Sequence, residues 1–379
     1  ELSTVTEAKN VTVKFKKKVY NVTFSVDGGH GTISATPQDG SASSTSPVSV
    51  EHGKKVTFTA VPHTGYEVEK WMVGGNTVSG NTSTSYELST VTEAKNVTVK
   101  FKKKTYTVRF SVADGVGELK GEYNDGTSHS NTAQNGGGEV KLENVPYGTQ
   151  VTFTATPTTS AGAWKVAGWK KNDAAVNETN STYTLSNVTS NTTVTVKFYQ
   201  SEIDGTASMA WRALLNAVSN APENATIKIN GEIKATIAND NKGEIAINKN
   251  LTIKGKKTDG SDTLNAALQS RIFKVKTGNT LTLENITLKN GGKYPATEDG
   301  GGIYSEGTLT LKNTTIESCG ATNGGGVYVG GGTFEMQDST ITNCEAVGDG
   351  GGVYVASEGT CIMKNSTITG CTATEDGGG

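Results

Sequence analysis

Long hydrophobic runs are missing from this 379-residue sequence, in which no stretch approaches the roughly 18 apolar residues of a membrane-spanning helix. A membrane-spanning segment is therefore not expected. Hydrophobic residues make up 34% of the chain and charged residues 19%. That is too little apolar material for a helical bundle and too little charge for a chain kept disordered by self-repulsion. Because residue 1 falls inside a repeat and residue 379 inside a glycine-rich turn, we expect a fragment truncated at the C-terminus.

Basic residues are scarce in the last part of the chain. Residues 296–379 contain 2 lysines, no arginine and 11 acidic residues, although the net charge of the whole chain is only −2. Phosphate contacts need Lys and Arg, so nucleic acid is not expected as a partner. The four histidines have no cysteine or carboxylate partner at ligand spacing, which argues against a zinc site.

Glycine, in contrast, is abundant, with 47 residues. Runs such as V-T-V, T-F-T-A and L-T-L are typical of strands, and Gly, Asn and Asp separate them as turn residues do. The sequence therefore predicts an all-β protein with many turns.

An internal repeat divides the first half. The segment 1–18, ELSTVTEAKNVTVKFKKK, recurs unchanged at 87–104. We predict that 1–18 is the last strand of a preceding module and that 19–104 is a complete small β module.

A diverged copy of this module occupies 105–199. Its segment V-T-F-T-A-T-P at Val151–Pro157 matches V-T-F-T-A-V-P at Val56–Pro62, and its Trp164 and Trp169 match Tyr66 and Trp71. Apolar residues alternate with polar ones in both modules, which predicts half-buried antiparallel strands. The aromatic residues are expected to anchor the module cores.

The motifs G-T-I-x-A-x-P, G-x-x-V-x-F-x-A-x-P, G-Y-E-V-x-x-W and V-T-V-x-F resemble the divergent internalin-type B-repeat of bacterial surface proteins. The resemblance covers 19–199, with Gly65-Tyr66 replaced by Ala163-Trp164 in the second module and an insertion around 121–138. It implies surface display, modules that serve as stalks or spacers, and no enzyme activity.

One helix is predicted, at about 206–219, with Thr206 or Ser208 as its cap and Pro222 beyond its end. We expect it to cap the first coil of the region that follows, because an open strand edge invites aggregation. Its apolar stripe comprises Ala207, Ala210, Trp211, Leu214 and Val218.

The last region, 200–379, repeats at offsets of 24 to 27 residues. G-G-G-x-Y recurs at 300–304, 324–328 and 350–354, and each copy is followed by a G-T-x-x-x-x-[ND]-[ST]-T-I segment. This period predicts a single-stranded parallel β-helix, right-handed and pectin-lyase-like, in which each coil pairs with the next. The columns expected to point inward are Leu309/Phe334/Cys361, Leu311/Met336/Met363 and Ile316/Ile341/Ile368.

These coils resemble the repeats of the polymorphic outer-membrane protein family, which carry G-G-A-[ILV] and F-x-x-N motifs. Here the first motif is G-G-G, the second is hardly present, and Cys319, Cys344 and Cys371 stand where that family often has Asn. The resemblance implies a β-helix and an extracellular region linked to adhesion.

All four cysteines lie in the predicted coils, three of them in one column and Cys361 in an inward position. Neighbouring coils about 4.8 Å apart would allow a disulfide, whereas a buried cysteine behaves as a small hydrophobe. We expect free thiols.

Two columns are candidate sites. Tyr304, Tyr328 and Tyr354 should point outward as an aromatic ladder, either a binding platform for sugar or protein or a device that stabilises the stack. Each Gly triplet is preceded by an acidic residue or Asn323, and these residues would either bind calcium or serve as hydrogen-bonding turn residues. The acidic residues are Asp299, Asp349 and Asp376.

These features predict an extracellular protein of a bacterial cell surface, an adhesin whose modules set reach and whose β-helix presents a binding face. Host glycan or extracellular-matrix protein are the expected partners, self-association being the alternative. A purely structural stalk, sheath or filament component is the second hypothesis. A polysaccharide lyase or hydrolase is the third hypothesis. The best-formed coils lack a cluster of carboxylates or basic residues for catalysis, so no enzyme activity is expected. Calcium is the one candidate cofactor.

Overall fold

The computed structural model describes residues 4–159, 163–293 and 298–378. Strands make up 53% of the structure, and the described residues contain one short α-helix. Two β modules come first, and a parallel β-solenoid of about 6 turns follows. The predicted all-β architecture is confirmed.

The first module forms two sheets from eight strands, which are β1 (Val19–Asp27), β2 (Gly31–Pro37), β3 (Val48–Glu51), β4 (Val56–Pro62), β5 (Tyr66–Val73), β6 (Asn76–Thr77), β7 (Ser85–Leu88) and β8 (Lys95–Lys103). One sheet has the order β3-β1-β8-β5-β6 and the other has the order β2-β4-β7. Apolar side chains of both sheets share one core.

The second module repeats this plan with nine strands, which are β9 (Thr105–Asp114), β10 (Gly117–Asn124), β11 (Ser128–Gln134), β12 (Val140–Pro146), β13 (Val151–Pro157), β14 (Trp164–Lys171), β15 (Ala174–Val176), β16 (Thr182–Leu185) and β17 (Thr192–Gln200). Its sheets have the orders β12-β9-β17-β14-β15 and β11-β10-β13-β16. The insertion that distinguishes this module contains β11, which pairs with β10.

Antiparallel pairing dominates both modules, as the alternating pattern predicts, with one exception in each. β1 and β8 are parallel, from Val22 opposite Lys95 to Asp27 opposite Lys100. β9 and β17 are parallel in the same way. The first and last strands of each module therefore lie side by side and point in the same direction.

The predicted core aromatics differ in their burial. Trp71 is fully buried, and its indole N–H donates to the Ser83 carbonyl at 2.9 Å. Tyr66 is half-buried and stacks on His30, with ring centroids 4.2 Å apart. Trp169 repeats the role of Trp71 in the second module, because its indole N–H donates to the Asn180 carbonyl at 2.8 Å.

Residues 4–18 contain no strand, although their sequence is that of 90–104, which includes β8. The side chain of Phe15 is 93% exposed, whereas that of Phe101 is 5% exposed. Residues 1–3 lie outside the described residues. The assignment of 1–18 to a preceding module stays a prediction.

The helix α1 (Ala210–Asn220) begins later than predicted. Neither Thr206 nor Ser208 caps it, because Met209 occupies the cap position and no side chain bonds there. Thr206 is held in the preceding turn instead, where its N–H and hydroxyl donate to Asp204 Oδ1 at 2.9 and 2.8 Å.

The apolar stripe of α1 packs into the end of the solenoid. Trp211, Leu214 and Val218 are buried in the same core cluster as the first coils. The indole N–H of Trp211 donates to the Gly243 carbonyl at 2.8 Å. The helix therefore caps the first coil, as predicted. A 3₁₀ turn, Ala238–Asp240, follows within that coil.

Four parallel sheets run along the solenoid. Sheet S1 contains Glu202–Asp204, Ala225–Asn230, Leu251–Gly255, Thr280–Glu284, Thr308–Lys312, Gly332–Gln337 and Gly359–Lys364. Sheet S2 contains Glu232–Lys234, Thr263–Asn265, Thr287–Lys289, Thr315–Glu317, Thr340–Thr342 and Thr367–Thr369. Sheet S3 contains Ile245–Ile247, Phe273–Val275, Ile303–Ser305, Val327–Val329 and Val353–Val355. Sheet S4 contains Gly320–Ala321, Glu345–Ala346 and Thr372–Ala373, and a short antiparallel pair joins Gln269–Ser270 to Gly292–Lys293.

The predicted columns stack in register. Leu309 lies opposite Phe334, which lies opposite Cys361, and Leu309 and Phe334 are fully buried. Cys361 is half-buried, and Met363 is exposed at the last coil. The winding predicted to be right-handed stays a prediction of the crossover rule.

Candidate functional site

The tyrosine ladder, defined here as Tyr304, Tyr328 and Tyr354, is formed by three neighbouring strands of sheet S3. The three residues lie opposite one another in register. Their ring centroids are 5.1 and 5.0 Å apart, with interplanar angles of 4° and 12°. The residues before and after Tyr328, Val327 and Val329, are fully buried. The tyrosines therefore project from the outer face, as predicted.

The rings of the ladder face one another rather than solvent. The Tyr328 ring is stacked between the other two, so both of its faces are covered. All three side chains are half-buried. The ladder offers solvent the ring edges and hydroxyl groups, and its use as a binding surface stays a prediction.

Burial and acidic neighbours act on these hydroxyls. Burial raises the pKa of Tyr304, and Glu306, which accepts a hydrogen bond from the Tyr304 hydroxyl at 3.2 Å, raises it further. Burial and Asp299 raise the pKa of Tyr328. Both hydroxyls are therefore protonated hydrogen-bond donors at neutral pH.

Two cations cover the first end of the ladder. The Arg271 guanidinium carbon lies 5.0 Å and the Lys274 ammonium 5.2 Å from the centroid of the Tyr304 ring. A cation over an aromatic face is attracted by its negative charge density. Lys274 also lies opposite Tyr304 in sheet S3, so it continues the same column.

Arg271 is almost completely buried, with 8% exposure. Its Nε donates to the carbonyls of Asp299 and Gly300 at 3.0 and 2.9 Å. Its terminal nitrogens pair with Glu244 and, at 3.2 Å, with Glu298. One arginine thus ties two coils and the end of the tyrosine ladder together.

A cleft of about 240 Å³ opens beside this arginine, between Glu244, Glu298 and the Gly300–Gly301 backbone. Ser270 lines it, and the Ser270 hydroxyl is buried without a hydrogen-bond partner. A cleft of this size and polarity is large enough to admit ordered water.

The acidic column is hydrogen-bonded from coil to coil. Asp299 accepts from the backbone and side-chain N–H groups of Asn323 at 3.1 and 2.9 Å. The Asn323 side-chain oxygen accepts from the Asp349 N–H at 2.9 Å, and Asp349 accepts from the Asp376 N–H at 3.0 Å. These hydrogen bonds correspond to the second alternative, in which the residues before the Gly triplets serve as hydrogen-bonding turn residues. Across the described ranges, no three His, Cys, Asp or Glu side chains converge on a metal position, and calcium binding stays a prediction.

The cysteines are free thiols, as predicted. Cys319 and Cys344 are buried, and the Cys344 N–H donates to Cys371 Sγ at 3.4 Å. Interaction with the Cys319 thiol, together with burial, raises the pKa of the Cys344 thiol. The Cys344 thiol is therefore protonated at neutral pH, and a protonated thiol is a poor nucleophile.

The junctions between domains are the feature that the sequence did not reveal. Lys104 is the single residue between β8 and β9. Its N–H donates to the Gly65 carbonyl at 2.8 Å, and its carbonyl accepts from the Tyr147 N–H at 2.8 Å. The linker peptide is therefore bonded to both modules.

The junction with the solenoid is built in the same way. Ser201 is the single residue between β17 and Glu202–Asp204. Its N–H donates to the Ala163 carbonyl at 3.0 Å, and its carbonyl accepts from the Lys228 N–H at 2.9 Å. Gly65 and Ala163 are matched positions of the two modules, and this match is the feature of the sequence from which the second junction could have been predicted.

The structural role of Arg271 could not be predicted in this way, because its partners are distant in the sequence.

Comparison with known families agrees with the module assignment. Residues 20–105 and 129–202 match the divergent InlB B-repeat domain, and together these stretches make up less than half of the chain. No curated protein matches the sequence. Within the part of the chain that the structure describes, no helix has the length and apolar character needed to cross a membrane.

Solved structures with partial similarity include pilus proteins. A pilus-presented adhesin, Spy0125 (Cpa), is 12% identical with a TM-score of 0.19, and the match covers 38% of this chain and 36% of the adhesin, so the chain spans about a third of its length. The C-terminal fragment of the pilus adhesin SpaC from Lactobacillus rhamnosus GG is 11% identical, with a TM-score of 0.26 and coverage of 48% and 97%. The major pilin T3.2 from Streptococcus pyogenes is 11% identical, with a TM-score of 0.25 and coverage of 48% and 96%. Similarity at this level carries no argument about this chain.

Proposed function

We propose that this chain is a bacterial cell-surface adhesin, in which the B-repeat modules form a stiff spacer and the solenoid presents a binding face to host glycan or extracellular-matrix protein. The observation that carries the proposal is the pair of one-residue linkers, each hydrogen-bonded on both sides. A spacer of fixed direction holds a binding face away from the surface, whereas a flexible linker of the same length lets it fold back.

The same junction supports addition of modules in series. Lys18 matches Lys104 in the repeated segment, and the Lys18 backbone carbonyl accepts a hydrogen bond from the His52 backbone N–H at 2.8 Å. His52 thus occupies the position that Tyr147 occupies in the second module. A repeated connection of this kind suits a stalk whose length is set by the number of modules.

The binding face proposed is the outer surface of sheet S3. Its tyrosine ladder supplies a row of hydroxyl groups on rings whose centroids are 5.1 and 5.0 Å apart, flanked by Glu306 and Asp299. Ring edges and hydroxyls on a rigid backbone suit partners rich in hydrogen-bonding groups, such as glycans. The acidic charge of 296–379 favours neutral or basic partners over acidic ones.

Binding of the 379-residue chain to an array of glycans and matrix proteins, with and without calcium, tests the proposal. We expect a saturable signal that the double variant Tyr328→Leu/Tyr354→Leu abolishes. The matched control is Glu335→Gln, which changes an exposed side chain on sheet S1. Retained binding in the tyrosine variant would move the site elsewhere on the solenoid, and turnover of a polysaccharide would contradict the non-enzymatic assignment.

A purely structural stalk is the second candidate, and the mutual covering of the ladder rings favours it, because a stacked column stabilises coils without any ligand. A folded, monodisperse chain that binds nothing on the array would support this function. Concentration-dependent growth of the particle mass in light scattering would point to a filament or sheath component.

A further inference from the structure

The first and last strands of each module determine how it responds to a pull on the chain. The chain enters the first module at the start of β1 and leaves it at the end of β8. Because β1 and β8 are parallel neighbours, these two points lie at opposite ends of one strand pair. The second module has the same arrangement in β9 and β17.

A pull on the two ends therefore makes β1 and β8 slide past each other. The pair is in register over six positions, from Val22 opposite Lys95 to Asp27 opposite Lys100. Sliding strains the hydrogen bonds of all these positions at the same time. Breaking these bonds together requires more force than breaking them one after another, because the load must exceed the strength of all of them at once.

Buried side chains oppose the same displacement. Val22 and Phe24 on β1, and Val97 and Val99 on β8, are buried on the core side of the pair. Moving one strand by a residue would place core side chains on the solvent face. The strand pair is thus held by hydrogen bonds in its plane and by packing on one face.

The junctions pass the pull from one domain to the next. Lys104 directly follows β8 and directly precedes β9, so no loop takes up slack between the modules. The modules contain no cysteine, so no disulfide contributes to their resistance.

We propose that the modules have a mechanical function, namely to resist stretching of the chain through shear of the parallel pairs β1–β8 and β9–β17. This inference rests on the proposed function in one respect, since a stalk that links a cell to a bound target is the part that comes under tension. The binding face takes no part in the argument.

Single-molecule force spectroscopy of the 379-residue chain, held by its two ends, tests the proposal. Each module should lengthen in one step that releases about 300 Å of extended chain. Steps from single solenoid coils of about 25 residues are roughly 90 Å and are thereby distinguished.

The control applies force to the same module along another axis. Azide-bearing residues at positions 67 and 102, which are paired in register in the antiparallel strands β5 and β8, serve as attachment points. Force there opens the pairs one at a time from one end. We expect the end-to-end direction to need at least about twofold more force at equal loading rate, because six pairs break together.

Equal forces in the two directions, or a lower force in the end-to-end direction, would overturn the proposal. The result is independent of the array, because a chain that binds no ligand can still show the directional difference. Conversely, a chain that binds its ligand but shows no directional difference retains the adhesin function and loses the mechanical one.

Discussion

The ring of Tyr147 in the second module packs against the α-carbon of Gly65 in the first, so closely that a β-carbon at Gly65 would lie 2.3 Å from Cδ1 of Tyr147. Gly65 also has a φ of +82°, and its carbonyl accepts the N–H of the linker residue Lys104. One glycine therefore allows both the turn and the approach of the next module.

The substitution Gly65→Ala is predicted to loosen the junction between the modules. The added methyl group displaces the Tyr147 ring, and we expect a broader distribution of distances between dyes on the two modules in single-molecule fluorescence transfer. The matched control is Gly53→Ala, which has the same φ of +82° and open space around its α-carbon. In both variants an alanine in the left-handed backbone region costs about 1 kcal/mol. Only Gly65→Ala should broaden the distribution of dye distances.

A narrow distance distribution in Gly65→Ala would mean that the hydrogen bonds of Lys104 alone fix the junction. The fixed direction proposed for the spacer would then survive, but the Tyr147 contact would be incidental.

The two identical copies of the repeated segment allow the same substitution to be compared in the same local sequence but in two different structural environments. Phe101→Ala should lower the free energy of unfolding of the first module by about 3–5 kcal/mol, because it leaves a cavity in the core. Phe15→Ala changes the same residue in the same local sequence and should leave stability unchanged, since Phe15 is exposed. Urea unfolding of both variants, followed by tryptophan fluorescence in a background where Trp71 is the one tryptophan retained, measures the difference. Similar losses in both variants would show that Phe15 is buried in solution.

Removal of Arg271 should destabilise the solenoid. Arg271→Gln leaves Glu244 without its cation and removes the Nε donor of the Asp299 and Gly300 carbonyls. It also removes one of the two cations over the Tyr304 ring. Breaking a buried ion pair in this way costs about 3–5 kcal/mol. Arg212→Gln is the matched control, because Arg212 is half exposed and lies 3.8 Å from Asp240.

The measurement for this pair is urea unfolding monitored by the near-ultraviolet circular dichroism of the tyrosines. Equal midpoints for the two arginine variants would contradict the structural role assigned to Arg271.

Alkaline pH should weaken the solenoid through Cys344. Its thiol pKa is raised in the folded state, so the folded protein holds this proton more tightly than the unfolded chain does. The resulting stability is fully present below the unfolded thiol pKa of about 8.5 and declines as the pH rises above it. Cys344→Ala should make that decline shallower, by at most about 1.4 kcal/mol per pH unit, the limit for one proton.

Urea unfolding at a series of pH values measures the slope. Burial also raises the pKa values of Cys361 and Cys371, so the variant should retain part of the decline. An unchanged slope in Cys344→Ala would show that this thiol ionises in the folded chain.

The sequence by itself determined the repeat pattern and most of the fold. Alternating apolar residues identified the module strands, and the offsets of 24 to 27 residues identified the coils, because side-chain period and repeat length follow directly from strand geometry. The columns through Leu309 and Tyr328 stack as predicted for the same reason. The predicted start of α1 was wrong, since Met209 occupies the cap position and Thr206 donates hydrogen bonds to Asp204 instead.

Only the tertiary structure decided which surfaces of these repeats meet. The sequence could not distinguish Phe15 from Phe101, since burial depends on the presence of neighbouring strands. It placed the tyrosines on the outer face but not their rings face to face, because ring orientation is set by the neighbouring coils. The parallel pairing of β1 with β8 and the contact of Tyr147 with Gly65 join residues far apart in the chain, and local pattern carries no information about such partners.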